Sequence, residues 1–345
     1  MAYAATELQE ARAFYDDVAS GRFQTNELRR PIINTTRAFM DSTPFSVLGG
    51  KETLEKIKKS GDQTTKVPIL TKLTADNGTA RTCATSGAEG DTALTTLSYT
   101  TYVEKFKIST LMLQNNDISY QTTLRHLMNE KMRILMQRLE TNLAAYLESS
   151  HATTSGAETQ ATIGTFTGDI GIVALADKNE YFSRLTTAMM QNNFAGPYQH
   201  VHSMGLSNRI MLQQNEGSGN SNNLAPQQQG FTHYGANLVP TTGSTEGTSF
   251  VFVPGTVGLL SYNNVLHRNN TQHGDDIWTT IANPFMPGLT FDLKSTTACT
   301  DNSGTSTHRG ADLVTYFELV LEFSRYKAYT SDGDTGIYKF QLADA

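Results

Sequence analysis

The chain has 345 residues, about two ordinary domains or one elaborate one. Its 27 Lys+Arg against 33 Asp+Glu leave a net charge of -6, which excludes a basic coat that wraps nucleic acid by bulk attraction. Only 17% of residues are charged and 48 are Thr, so the expected surface is neutral and polar, with little repulsion between identical copies and no ions to desolvate when they meet.

The first elements are helical. Residues 6–23 place Leu8, Ala11, Phe14, Tyr15 and Val18 on one side, and shorter helical stretches follow over residues 25–40, interrupted by Pro31, and 51–60. Together they read as an arm. From residue 64 the period changes to two. Val67, Ile69 and Leu73 share one side of a strand, and Pro68 within it implies an edge position. After a Thr/Gly-rich loop over residues 74–93, Leu97, Tyr99 and Val103 line a second long strand, so residues 61–110 read as an extended hairpin.

The strongest helix signal follows. Leu124, Met128, Met132, Leu135, Leu139, Leu143 and Leu147 form one ridge, with Ser119 or Thr122 as cap and an end near Ser149. At 1.5 Å per residue such a helix spans about 43 Å. Leu135 and Leu139 are its central core positions. Arg125, Lys131, Arg133 and Arg138 occupy the other faces, either as a solvated surface or as a stripe towards a polyanion.

Asp177 and Glu180 make a capping-box pattern opening a helix through Tyr181, Leu185 and Met189 to Asn192. A strand over residues 199–204, a helix over 207–214 and a polar loop over 216–230 come next. An apolar strand, Phe250 to Val253, breaks at Pro254-Gly255 and continues over residues 257–262. Near the end, Leu313, Thr315, Phe317, Leu319, Leu321 and Phe323 alternate with Val314, Tyr316, Glu318, Val320 and Glu322, and the turn SDGDTG leads to Tyr338, Phe340 and Leu342 as a terminal hairpin partner.

The usual enzyme signatures are missing: there is no GxxxxGK[ST], GxGxxG after a strand, HExxH or GxSxG. No catalytic residue, cofactor or metal is expected. His200 and His202, two apart on a strand, are the one pair able to share a metal, with His273, Asp275 or Asp276 as further ligands. Ordinary polar residues in a loop-rich region are the plainer reading. Cys83 and Cys299 have no ligand spacing around them. No apolar run reaches the ~18 residues that span a bilayer, and the amino terminus MAYAATELQEARAFYDD lacks a basic region before an apolar one, so neither membrane insertion nor secretion is expected.

The order of helical arm, long two-stranded loop, very long helix, small α+β core, loop-rich region and returning long strand resembles the major capsid protein of tailed bacteriophages, the Hong Kong 97-type capsid fold. FTHYGANLVP, a Thr/Gly linker and FVFVPGTVGLL are similar to the strand, variable loop and strand with glycine-rich turn of many such subunits. The resemblance implies an α+β fold with N-arm 1–60, E-loop 61–110, spine helix and first part of the P domain 111–193, A domain 194–310 and returning P-domain strands 311–345. It implies no enzyme but a shell subunit, assembled in the host cytoplasm into hexamers and pentamers of an icosahedral virion. Its partners would be further copies, portal, scaffold or decoration proteins, and packaged double-stranded DNA on the inner face. An encapsulin-like shell, another phage structural or tail component, and a metal-dependent enzyme using His200 and His202 are the alternatives.

Two further expectations follow. Residues 1–150 carry 18 Lys+Arg and 17 Asp+Glu, a net of +1, against 9 and 16, a net of -7, for residues 151–345. With Lys56, Lys58 and Lys59 clustered at the arm's end, the arm side is expected to face DNA. An isolated two-stranded ribbon is marginal in water. The row Val67, Ile69, Leu73, Leu97, Tyr99 and Val103 is therefore expected to lie on a neighbouring subunit.

Overall fold

A computed structural model of the chain describes residues 31–43, 64–70, 92–109, 120–152, 165–167, 170–217, 230–237, 245–261, 271–301, 311–327 and 336–343. In chain order these contain α1 (Asn34–Ser42), β1 (Thr64–Leu70), β2 (Thr92–Ser98), β3 (Thr100–Ser109), α2 (Tyr120–Ser150), β4 (Thr165–Thr167), β5 (Ile170–Ala174), a 3-10 turn (Leu175–Glu180) and α3 (Tyr181–Gln191). Then follow β6 (Tyr198–Ser203), α4 (Met204–Gly217), β7 (Phe231–Ala236), β8 (Thr245–Phe252), β9 (Val257–Ser261), β10 (Thr271–His273), β11 (Asp276–Ala282), β12 (Thr290–Asp301), β13 (Ala311–Lys327) and β14 (Ile337–Ala343).

The ridge of α2 packs as its period demands. Every one of the seven ridge residues from Leu124 to Leu147 is buried, and Leu135 and Leu139 have no exposed surface. The helix lies on a six-stranded sheet ordered β10-β11-β12-β13-β3, with β9 pairing the far end of β13. On β13 the alternation gives the core one row, with Phe317, Leu319, Leu321 and Phe323 buried in the cluster that holds the α2 ridge; Tyr316 on the opposite face is exposed, and Leu313, at the start of the core row, is exposed where the strand runs past the core. Cross-strand pairs fix the β13–β3 register. Phe317 lies opposite Phe106 and Glu318 opposite Lys105; the rings stack at 4.8 Å and the ions meet at 3.1 Å.

The second sheet, β4-β5-β14-β8-β6-β7, is covered on both sides. Ile337, Val201, Phe250 and Phe252 belong to the α2 core, while Phe340, Leu342, Val173 and Val251 pack with Phe182, Leu185 and Met189 of α3. A strand buried on both faces reads as nearly continuous apolar sequence; Lys339 and Gln341 are the exceptions on β14, with Lys339 Nζ 2.5 Å from Glu148 Oε1 at the end of α2.

Three local expectations are not met, two of them because longer-range pairing wins. β14 is not a hairpin partner of β13: it runs between β5, parallel, and β8, antiparallel, in the other sheet. The break at Pro254-Gly255 likewise sends β8 and β9 into different sheets. Leu259 donates its amide to Thr43 Oγ1 at 3.1 Å, and Gly255 donates to the Ser42 carbonyl at 2.9 Å, so α1 staples the crossing. The capping box does not form. No side chain caps α3, which continues from a 3-10 turn; Asp177 and Glu180 instead both pair with Arg184 at 2.9 Å. At the other end the helix stops by backbone geometry: Asn193 takes φ 62, Phe194 N–H donates to Met189 O at 3.0 Å and Asn193 N–H to Met190 O at 2.9 Å, a Schellman closure.

Strands from residues 194–310 enter both sheets: β6, β7 and β8 the second, β9 to β12 the first. Close backbone approach explains one glycine in the first sheet. A Cβ on Gly258 would lie 2.2 Å from Cε1 of Tyr326, its partner across the β9–β13 ladder.

Candidate functional site

The long helix carries its basic residues as partners of its own chain rather than as a free stripe. Lys131 and Arg138 converge on Glu104 of β3 at 2.9 and 3.0 Å, and the Arg138 guanidinium lies 4.7 Å over the Tyr102 ring. Arg133 pairs with Glu130 at 2.6 Å within the helix. These contacts make a clamp between helix and sheet; being partly exposed, each is worth little alone.

Glu140 was not legible as a structural centre. It sits on the buried side of α2 with no exposed surface, directly beneath the N-terminus of α1. Thr35 N–H donates to its Oε1 at 2.8 Å, and Thr36 N–H and Oγ1 donate to its Oε2 at 2.9 and 2.8 Å. The first amides of a helix have no partner inside it, and α1 has no side-chain cap of its own, so a carboxylate from a distant helix supplies one and meets the positive end of the dipole. Burial raises the carboxyl above its ordinary range, and these hydrogen bonds pull it back in part.

The expected hairpin divides into a ribbon and a body strand. Among the described residues β1 and β2 pair only with each other, from Thr64 opposite Ser98 to Leu70 opposite Thr92, and Pro68 sits on this two-stranded edge opposite Leu94. At Tyr99 the chain turns from the ribbon into β3, which joins the first sheet. Three residues of the expected interface row therefore belong to the subunit's own body. Leu97 is 2% exposed, packed with Leu260 and Tyr326, and Tyr99 packs against the same cluster; Val103 lies opposite Val320 in the central sheet. The reason is that β2 and β3 are nearly continuous, so the base of the ribbon is anchored inside the first sheet. Val67 and Ile69 fall on β1. Leu73, Lys56, Lys58 and Lys59 lie outside the described residues.

His200 and His202 do converge, with a third histidine that the spacing did not identify. β6 and β7 run parallel with His200 opposite His233 and His202 opposite Gly235. One ring nitrogen from each of His200, His202 and His233 lies within 4.8 Å of the others. His200 Nδ1 is 2.9 Å from His233 Nδ1. His202 Nδ1 donates to the Ser203 carbonyl at 3.0 Å. Phe182 of α3 stands edge-on to both His200 and His233, at 5.6 and 5.4 Å between ring centres. Burial holds His200 well below the ordinary 6.5, with His202 and His233 adding to the shift, and carries His233 down to about 4, so the rings are neutral at physiological pH. His273, Asp275 and Asp276 are not part of this group: they belong to the β10–β11 turn of the other sheet, where His273 pairs in register with Asp276 and Lys294 holds Asp276 at 2.7 Å. Turn geometry separates them from β6. The signal that pointed to His233 was its place in FTHYGA, a second strand with a histidine at the register of YQHVHS.

Among the described residues no helix is long and apolar enough to cross a membrane. No family model and no curated protein matches the sequence. Solved structures do match in shape. The Cyanophage Pam1 capsid subunit superposes with a TM-score of 0.53 at 11% identity over 93% of this chain and 94% of that one. A structure from Mycobacterium phage Che8 gives 0.49 at 12% identity, over 86% and 90% of the two chains, and the capsid of Cyanophage P-SCSP1u gives 0.45 at 14%, over 83% and 84%. The chain thus has a phage capsid fold, mixed α and β, along nearly its whole length. A capsid fold is what the order of elements resembled.

Proposed function

We propose that the chain is the major capsid protein of a tailed bacteriophage, a structural subunit rather than an enzyme, whose copies close an icosahedral shell around the genome. The observation that carries this reading is the full-length correspondence with the Pam1 capsid subunit. Physical chemistry supports it. The low charge reduces repulsion between copies, and many modest contacts repeated by symmetry make a cooperative assembly. Within this reading residues 1–60 serve as the arm, with Lys56, Lys58 and Lys59 towards packaged double-stranded DNA, and α2 is the spine. The subunits form hexamers and pentamers in the host cytoplasm, then join portal, scaffold or decoration proteins in the virion. Negative-stain imaging of concentrated protein tests the class: closed shells are expected, and a monodisperse monomer at every concentration overturns it.

The β1–β2 ribbon is the assembly device in this proposal. A two-stranded ribbon is marginal alone, and among the described residues β1 pairs with β2 alone. Val67, Ile69 and Leu73 are accordingly the part of the row that meets an adjacent subunit, with Leu97, Tyr99 and Val103 anchoring its base. In free subunits trypsin is expected to cut first near Arg81, between the two strands, and in closed particles that cut slows greatly. Equal protection in both states removes the need for a neighbour.

A further inference from the structure

The three histidines on β6 and β7 have no task in the capsid reading, and they bring three ring nitrogens together beneath the surface of the sheet. Each neutral imidazole has one N–H and one lone pair. His202 spends its N–H on Ser203 O, which leaves its Nε2 as a free donor of electrons. His200 and His233 share a single proton across their 2.9 Å Nδ1 contact, and the Nε2 atoms of both rings are buried with no partner among the described residues. His200 has no exposed surface at all.

We propose that His200, His202 and His233 form a binding site for a borderline divalent transition-metal ion, zinc being the ion whose chemistry suits three neutral imidazoles. The donor set contains nitrogen only, which favours zinc and its first-row neighbours over magnesium or calcium. The spacing is close to what a cation needs. Ligands at ~2.0 Å in a tetrahedral site are roughly 3.3 Å apart; when the ring that donates across the contact moves its proton from Nδ1 to its own Nε2, both Nδ1 lone pairs face the ion, and the two atoms move only slightly from 2.9 Å.

The surroundings hold the rings and leave room. Phe182 and Phe231 pack on His200 at 5.6 and 5.9 Å, fixing its plane. Gly235 is the neighbour of His202 across the strands, and a Cβ there would sit 3.3 Å from His202 Cε1 and 2.9 Å from Ser207 Oγ. His233 lies on the edge strand β7 and is half-buried, which provides the way in. Three histidines leave a fourth position for water or a small ligand. The bound ion ties the edge strand to the sheet interior, and it stabilises the folded subunit because the unfolded chain has no such site.

The test uses the full chain, stripped with EDTA and returned to metal-free buffer. Addition of Zn(II) is expected to give one bound ion per chain and a higher thermal midpoint, and Co(II) the visible absorption of a four-coordinate site. His233→Gln, at the half-buried edge, is expected to weaken zinc binding at least about tenfold with the metal-free midpoint little changed. Should that variant not fold, wild-type protein still decides: three histidine ring resonances of the stripped chain must shift on zinc addition. Absence of a midpoint shift and of cobalt absorption, unchanged zinc affinity in the variant, or unchanged histidine resonances overturns the proposal, leaving the three rings as a packed aromatic cluster. Failure here leaves the shell reading untouched, since imaging decides that separately.

Discussion

Glu140→Ala is expected to destabilise the unassembled subunit by about 3 kcal/mol, read by chemical denaturation. The substitution leaves the amides of Thr35 and Thr36 and the Thr36 hydroxyl without their acceptor, and each orphaned buried donor costs about 1–3 kcal/mol. Relief from burying a carboxyl whose pKa is raised by desolvation offsets part of the sum. Glu140→Gln keeps one acceptor oxygen and turns an NH2 towards the donors, so a smaller loss, about 1–2 kcal/mol, is expected. The ranking Ala below Gln below wild type separates the cap from a mere volume effect. Equal stability of all three proteins removes Glu140 as the anchor of α1.

Leu135→Ala is expected to cost ~2–5 kcal/mol, the range for a fully buried leucine whose site cannot collapse. Leu135 has no exposed surface and lies in the cluster that joins α2 to β13 and the second sheet, so the loss appears in the free subunit and not only in assembly. Gln137→Ala, on the exposed side of the same helix, is the control and stays within about 0.5 kcal/mol of wild type. An unchanged unfolding midpoint for Leu135→Ala contradicts its place in the core.

The two residues illustrate different kinds of legibility. Leu135 is found from its neighbours four residues away, because a helix repeats its environment every turn. Glu140 interrupts the buried side of that same helix and reads as a surface residue, since its partners Thr35 and Thr36 are more than a hundred positions away. The histidines divide in the same manner. The period of two placed His200 and His202 on one side of a strand; His233 joined them only through the parallel pairing of β6 with β7.

Periodicity and turn residues, which act over a few positions, determined the long helix Tyr120–Ser150, the alternating strand Ala311–Lys327 and the edge character of the strand holding Pro68. From their order came the capsid architecture. Tertiary structure alone decided which strands are neighbours. SDGDTG marks a reversal, but β14 pairs with β5 and β8 rather than returning on β13. The long strand around Leu97 and Tyr99 is one pattern in sequence but a ribbon and a sheet strand in space. Strand pairing is settled by burial of side chains far apart in the chain, and a local pattern of apolar residues fits many partners equally well.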